Sequence, residues 1–412
     1  MRLMISFAAL FLSIILLQLA SGGVGPLDAL SGLALGFTTA EVGLLGSAHF
    51  LGFFIGCWWA PRLMGTVGHS RAFAAFTALG AMGLMAHMMV VGPLAWAVMR
   101  VGIGLCVAGC YTVIEAWLNA RLTNETRGRA MGIYRIADMG ASLAAQLLIA
   151  VLPPAAYVSY NLLAIICCAA LLPLTLSRLR QPETPEAPRL RPGLALRLSP
   201  LATAGVIVAG LTSAAFRMVG PVYGQEVGLA PDQIGLFLAA FVGGGALAQY
   251  PVGWLADKID RRRVLVWLSL AAVASCGVTV AVSDGGAVAV FLAAALFGAV
   301  SFPVYSVAAA HANDWADSAE RVELSAALMF FYAIGAIASP LAASGLIERF
   351  GPEALFWLIG AGHAGLVLFG LARMRSRPSL GPRTAYVWTP RTSFLIGRLT
   401  RASREKGDPE SR

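Results

Sequence analysis

Six ionisable side chains stand inside otherwise apolar stretches of this sequence: Asp28, Arg100, Glu115, Arg135, Asp138 and Arg217. A charge at bilayer depth costs roughly 3 kcal/mol or more, so each needs a partner, a water-filled cavity or a function. Asp28, Glu115 and Asp138 are the candidates to take up and release a proton, which is chemistry that buried carboxylates perform. Arg100 and Arg217 each fall about two turns from the outer ends of their helices, which sets both at the same depth. Arg217 reads as a group that attracts an anionic or carbonyl-rich solute, given the cost of an unpaired buried charge. Two readings of Arg100 stand side by side: it organises a cavity and competes with a transported proton, or it clamps helix carbonyls and Asp28. Glu115 and Arg135 lie at similar depth on adjacent helices, and Asp138 follows Arg135 at an i, i+3 spacing. A structural ion pair of Glu115 with Arg135, joined by Asp138, is the expected arrangement, ahead of proton carriage.

Other chemistry finds little footing. The six cysteines, Cys57, Cys106, Cys110, Cys167, Cys168 and Cys276, all fall in apolar runs, where cysteine behaves as a small hydrophobe. Cys106 and Cys110 share a helix face, yet no histidine or acid completes a ligand set, so no metal is expected. His49, His87 and His363 are scattered on separate runs and read as neutral packing groups. No His-Glu-x-x-His or paired-aspartate constellation is present, which argues against an intramembrane enzyme, and no cofactor is expected. A phosphate-binding loop of the Gly-x-x-x-x-Gly-Lys-Ser/Thr type is absent, so ATP is not a direct energy source.

The elements that must position these groups are set by composition. The chain has 412 residues, 58% hydrophobic and 12% charged, with a mean hydropathy of +0.75, so lipid is the solvent for most of its surface. Helices are expected rather than a barrel, because period-two alternation is missing. Apolar runs cover residues 5–30, 42–60, 72–91, 94–118, 131–152 and 155–176. Six more cover 201–223, 234–255, 264–282, 287–310, 324–347 and 352–372. The first run is too long for the apolar core of a signal peptide and is kept as a span. The charged, proline-bearing stretch 177–198 is the expected linker between a bundle at 1–176 and a second at 199–373. Residues 374–412 form a basic tail, read as disordered, with weak headgroup contact as the sharper alternative.

Basic residues fall in alternate loops. One set holds Arg62, Arg71, Arg121, Arg127, Arg129, Arg178, Arg180, Arg189, Arg191, Lys258, Arg261, Arg262, Arg263 and Arg321. The other holds Glu41, Glu226, Asp232, Asp284, Glu348 and Glu353, with Arg349 as its basic member. The positive-inside rule makes the first set cytoplasmic and places both termini there. The net charge of +9 therefore reports orientation, and no nucleic-acid partner is expected.

The second half repeats the first. Val42-Gly43-Leu44 matches Ile234-Gly235-Leu236, and Gly52 matches Gly244. Gly104 matches Gly298, Tyr111 matches Tyr305, Asn119 matches Asn313 and Arg127 matches Arg321. Two repeats of six spans are related by an axis along the membrane normal, which places a solute site between them near mid-membrane. Tyr111 and Tyr305 would then face that site from either side, as aromatic walls with polar tips.

After the eighth apolar run stands Gly253-Trp254-Leu255-Ala256-Asp257-Lys258-Ile259-Asp260-Arg261-Arg262-Arg263. This resembles the Gly-x-x-x-Asp-basic-x-x-basic-basic loop of the major facilitator superfamily. The N-terminal counterpart, Pro61 to Arg71, keeps a turn glycine and a basic end but has Gly65 in place of the acid. Arg100-Val101-Gly102-Ile103-Gly104 is similar to that superfamily's Arg-x-x-x-Gly pattern. Tyr111 to Asn119, followed by Arg127-Gly128-Arg129, resembles a bacterial permease branch within it. A Gly-Pro pair, the antiporter signature, is absent from the fifth run; Ser339-Pro340 stands in the eleventh.

The resemblance implies an all-α membrane protein of twelve transmembrane helices in two pseudo-symmetric six-helix bundles. It implies a bacterial inner-membrane secondary transporter, a monomer in the bilayer, moving a small organic solute by alternating access and coupled to protons. A transport-like fold kept as a membrane sensor or assembly partner is the alternative. The first, fourth, seventh and tenth spans would line the cavity, so Asp28, Arg100, Tyr111, Arg217 and Tyr305 are its expected side chains. Asp257, Arg261 and Arg321 are the expected gate, with Asp257 accepting from helix N-termini or Arg321 and locking the outward-facing state.

Overall fold

In the computed structural model, residues 2–122, 124–177, 189–317, 320–376, 386 and 392–394 are described. The first half comprises α1 (Arg2–Ala34), α2 (Thr39–Val67), α3 (His69–Ala86), α4 (Pro93–Arg121), α5 (Asn124–Ile149), α6 (Tyr157–Ala169) and α7 (Leu171–Thr175). A short helix α8 (Pro192–Leu198) follows, in the stretch expected as linker; residues 178–188 of that stretch lie outside the described ones. The second half comprises α9 (Pro200–Glu226), α10 (Pro231–Lys258), α11 (Arg261–Ala281), α12 (Ala287–Ser301), α13 (Pro303–Asn313), α14 (Arg321–Phe350) and α15 (Ala354–Ser376).

Two of the expected spans are broken, and proline is the reason. Pro173 has no N–H to donate and its ring crowds the carbonyl four residues back, at Ala169, where α6 ends. Pro303 does the same to the tenth span and becomes the first residue of α13. With these pairs counted as single spans, ten helices among the described residues are long and apolar enough to cross a membrane. The remaining two rods are α3, whose 18 residues include His69 and Arg71, and α5, which carries Arg135, Asp138 and Gln146. They complete the array by packing, α3 on α4 and α6, α5 on α1 and α10. Outward faces carry exposed apolar side chains such as Leu94, Ile136, Leu247 and Leu368, as lipid contact requires.

The halves repeat each other's packing: α2 on α4 answers α10 on α12, α3 on α6 answers α11 on α15, and α1 on α5 answers α9 on α14. Glycines make the tightest of these crossings. A Cβ on Gly52 would lie 2.0 Å from the Val101 carbonyl oxygen, and one on Gly104 would lie 2.0 Å from that of His49. In the second half, a Cβ on Gly244 would lie 1.9 Å from Ala295 O, and one on Gly298 would lie 2.0 Å from Phe241 O. Both crossings bring backbone against backbone, which only glycine permits. The matched glycines are thus matched in space.

The halves meet at the face that carries the acidic loops. There the Ala40 N–H donates to Glu348 Oε1 at 2.7 Å, and the Leu341 N–H donates to Ser47 Oγ at 3.3 Å. Gly43 and Gly46 abut Ser344, Pro340 and Met218, and Gly235 abuts the backbone of Gln146 and Ala150. Toward the basic-loop face, α4 and α13 make no extensive contact among the described residues.

Candidate functional site

Between the halves lies a cavity of about 150 Å³. From the first half Gln18, Tyr111, Asp138 and Gln146 face it; from the second, Arg217, Gln249 and Tyr332 do so, with Phe50, Phe53 and Phe241 as apolar wall. This mix of aromatic wall and a few convergent polar groups is what a small-solute site requires.

The polar floor is built around one phenol. Tyr111 Oη lies 2.5 Å from Asp138 Oδ1 and 2.6 Å from Gln18 Oε1. A phenol has one proton to give, so when it donates to Asp138 the Gln18 amide turns its N–H₂ toward the phenol oxygen. Helix α1 delivers Gln18, α4 delivers Tyr111 and α5 delivers Asp138, so three helices are tied at one point. Gln146 Nε2 donates to Gly22 O at 3.1 Å and fixes α5 to α1 one step further along. Opposite stands Arg217 on α9, half-buried, whose charge acts on both His49 and Tyr111.

Asp28 and Arg100 do not line this cavity. They belong to a buried cluster on the sealed side of Met218, whose Sδ accepts from Arg100 Nη2 at 3.5 Å. Asp28 Oδ1 accepts from the Tyr160 hydroxyl at 2.9 Å, while Arg100 Nε and His87 Nε2 each lie 3.4 Å from Asp28 Oδ2. Met218, pressed against Gly25, separates the pair from the cavity. Of the clamp contacts expected for Arg100, the one to Asp28 is present, at 3.4 Å, and no hydrogen bond to a helix carbonyl is seen among the described residues. His87 is more than a packing group, because it faces Asp28 and its ring stacks on Tyr160 at 5.2 Å.

The other expected residues are placed as follows. Tyr305 is buried behind Tyr332, with ring centroids 5.5 Å apart, so Tyr332 takes the cavity face that sequence gives to Tyr305. A new helix starts at Pro303, two residues before Tyr305. Glu115 accepts hydrogen bonds from Tyr134 at 3.0 Å and from the hydroxyls of Thr392 and Ser393. Arg135 is within electrostatic reach of Glu115 and itself lines the cavity. Asp138 is held by Tyr111 rather than serving only as a third member of that ion pair. His363 meets Thr212 Oγ1 at 3.1 Å, and His49 stands on the cavity wall, where sequence expected a peripheral group. Cys168 is exposed, the other five cysteines are buried, and no metal-binding group occurs among the described residues.

At the basic-loop face Asp257 takes Arg261, at 3.1 Å, and the Tyr386 N–H, at 2.6 Å, in place of the expected Arg321. Arg261 is an i+4 neighbour and fully buried, and its other nitrogen donates to Asp314 Oδ1 at 2.6 Å and to Ala310 O at 3.1 Å. It therefore ties α11 to the end of α13. Arg321 is the first residue of α14. Sequence reasoning missed Gln18, Gln146, Gln249 and Tyr332. The available signal was that glutamines within apolar runs also need partners.

Comparison with known proteins agrees with this architecture. The Major Facilitator Superfamily model matches residues 202–401. An uncharacterized MFS-type transporter of Enterobacter sp. (strain 638) is 27% identical over 325 residues, covering 78% of this chain and 84% of the relative. The uncharacterized MFS-type transporter YcaD of Salmonella heidelberg (strain SL476) is 28% identical over 337 residues, with the same 78% and 84% coverage. Among solved structures, the nucleoside transporter NupG superposes with a TM-score of 0.72 at 15% identity, covering 90% of this chain and 98% of that one. A bacterial homologue of the human lysosomal transporter Spinster, in an inward-facing and unoccupied conformation, gives 0.68 at 13% identity with 99% coverage of both chains.

Proposed function

Because the chain belongs to the major facilitator superfamily, we propose that its solute is a small polar organic molecule bearing an anionic or carbonyl group. The solute sits between Arg217 and the Tyr111–Asp138–Gln18 floor. The observation that carries this reading is the cavity itself. A cation on α9 faces a hydrogen-bonded carboxylate on α5 across a space of about 150 Å³, sized for a metabolite rather than for a macromolecule. Residues 1–176 and 199–373 are the two bodies that rock about the site, with the basic loops and both termini on the cytoplasmic side of a bacterial inner membrane. The seal at the acidic-loop face then corresponds to a state loaded from the cytoplasmic side.

Coupling to protons is supported by the Asp28 cluster. His87 Nδ1 lies 2.6 Å from the Gly83 carbonyl oxygen, an atom that only accepts, so that nitrogen carries the hydrogen. His87 Nε2 and Asp28 Oδ2 then face each other, and neither has a closer hydrogen-bond partner. One proton on the line between them satisfies both atoms, and Arg100, aimed at the same oxygen, competes for it.

A thermal-shift screen of purified protein against metabolite panels, repeated on Arg217→Ala, tests the solute site. A stabilising solute is expected for the native protein and none for the variant, with both proteins eluting as folded monomers. Full retention of solute stabilisation in Arg217→Ala removes Arg217 from the site.

A further inference from the structure

Part of the basic tail packs into the fold. Four of its residues, Tyr386, Thr392, Ser393 and Phe394, are described, and all four are seated in the opening between the halves at the basic-loop face. The Tyr386 N–H donates to Asp257 Oδ1 at 2.6 Å and its hydroxyl donates to Gln249 Oε1 at 3.1 Å. Its ring lies where a side chain at Gly253 would stand, since a Cβ there would meet the ring at 2.6 Å. Burial pushes the Tyr386 phenol up to about 12, so it remains a donor at any physiological pH. Six and seven residues on, the Thr392 and Ser393 hydroxyls both donate to Glu115, and Phe394 is 3% exposed, with its ring edge-on to Phe54 at 6.2 Å.

These contacts straddle the two halves. Glu115 and Phe54 belong to α4 and α2; Gln249, Gly253 and Asp257 belong to α10. Thr392 also forms part of the wall of the solute cavity, and Phe394 lies in a cleft with Cys57 and Arg62. A buried carboxylate needs hydrogen-bond donors, and on Glu115 two of three come from the tail. Gly253 and Asp257, two residues of the loop motif, thus also serve as a receptor for the tail.

We infer that the four described tail residues act as a built-in stopper: seated as described, they bridge the two halves and obstruct the cavity on the basic-loop side, and they must withdraw before solute can pass there. The consequence for transport rests on the solute-cavity reading above; the seating does not. A stopper held largely by two hydroxyls on a carboxylate is releasable by negative charge at those positions.

The test uses the full-length protein in detergent micelles with Cys57 as the sole thiol, the five other cysteines being changed to serine, and a water-soluble maleimide as probe. Replacing Thr392 and Ser393 together by Asp, or Phe394 by Ala, is expected to speed labelling of Cys57 by about tenfold or more, because a buried thiol reacts only when uncovered. Labelling at the unaltered rate in both variants overturns the stopper. If the five serine changes prevent folding, Phe394→Cys in the native background serves instead. Oxidation is expected to link the tail to Cys57, recovered as a cross-linked peptide after digestion, and failure to find that link overturns the proposal. Neither arm needs a solute. Release of the tail with no solute movement in any variant would sink the transport reading alone.

Discussion

His87 Nε2 and Asp28 Oδ2 face each other across 3.4 Å, with both side chains out of contact with solvent. Arg100 Nε approaches the same oxygen from α4 at the same distance, so three helices converge on one carboxylate. If a shared proton lies there, His87→Asn should flatten the dependence of solute uptake on an imposed pH gradient in proteoliposomes while leaving solute-induced thermal stabilisation in place. Unchanged gradient dependence would place the coupling proton elsewhere.

The same cluster predicts a stability pattern. Asp28→Asn strands a buried guanidinium and should cost roughly 3–5 kcal/mol, seen as a lower unfolding temperature in detergent. Asp28→Asn combined with Arg100→Gln should recover part of that loss, because the stranded charge goes too. Losses that simply add would show that the two side chains are not coupled.

The helix crossings make a sharper structural prediction. Gly244→Ala drives a methyl into the Ala295 carbonyl and should cost about 1–3 kcal/mol. Gly243→Ala, one residue away, meets nothing within 4 Å and should be neutral or slightly stabilising. Equal effects at the two positions, read by thermal unfolding, would contradict the crossing geometry.

Asp260 gives a pH prediction outside the membrane. It caps α11 through the Arg262 N–H at 3.0 Å and pairs with the Arg262 guanidinium at 2.7 Å. Partial burial acts to raise its carboxyl, but Arg262 outweighs burial and holds it below the usual carboxylate range. A depressed folded-state value means the stabilisation is fully present above the unfolded value of about 4 and is lost as pH falls through the folded one. The unfolding temperature of Asp260→Asn should therefore lie below that of the native protein at pH 7, and the gap should close below about pH 4.

The span pattern, the duplication and the paired glycines were legible in the sequence because each has a period or register that residue types reveal. The site was legible in part. Tyr111 and Arg217, expected as cavity side chains, line the cavity, whereas Asp138, expected beside Arg135 and Glu115, is held by Tyr111 on the cavity floor. Tyr332 rather than Tyr305 lines the cavity, with the Tyr305 ring buried edge-on behind it, a contact that one-dimensional matching cannot register. Asp28 was right as a buried acid but wrong as cavity wall, since depth along α1 placed it beyond Met218. The partners of Glu115 were out of reach altogether, for Thr392 and Ser393 lie more than 270 residues away in a segment whose composition signals only a polar tail.

Backbone contact at Gly52 and Gly104 couples α2 to α4 as one lever, and contact at Gly244 and Gly298 couples α10 to α12 as another. A spectroscopic ruler strung between a point on the first lever and a point on the second would therefore report any relative displacement of the two helix pairs.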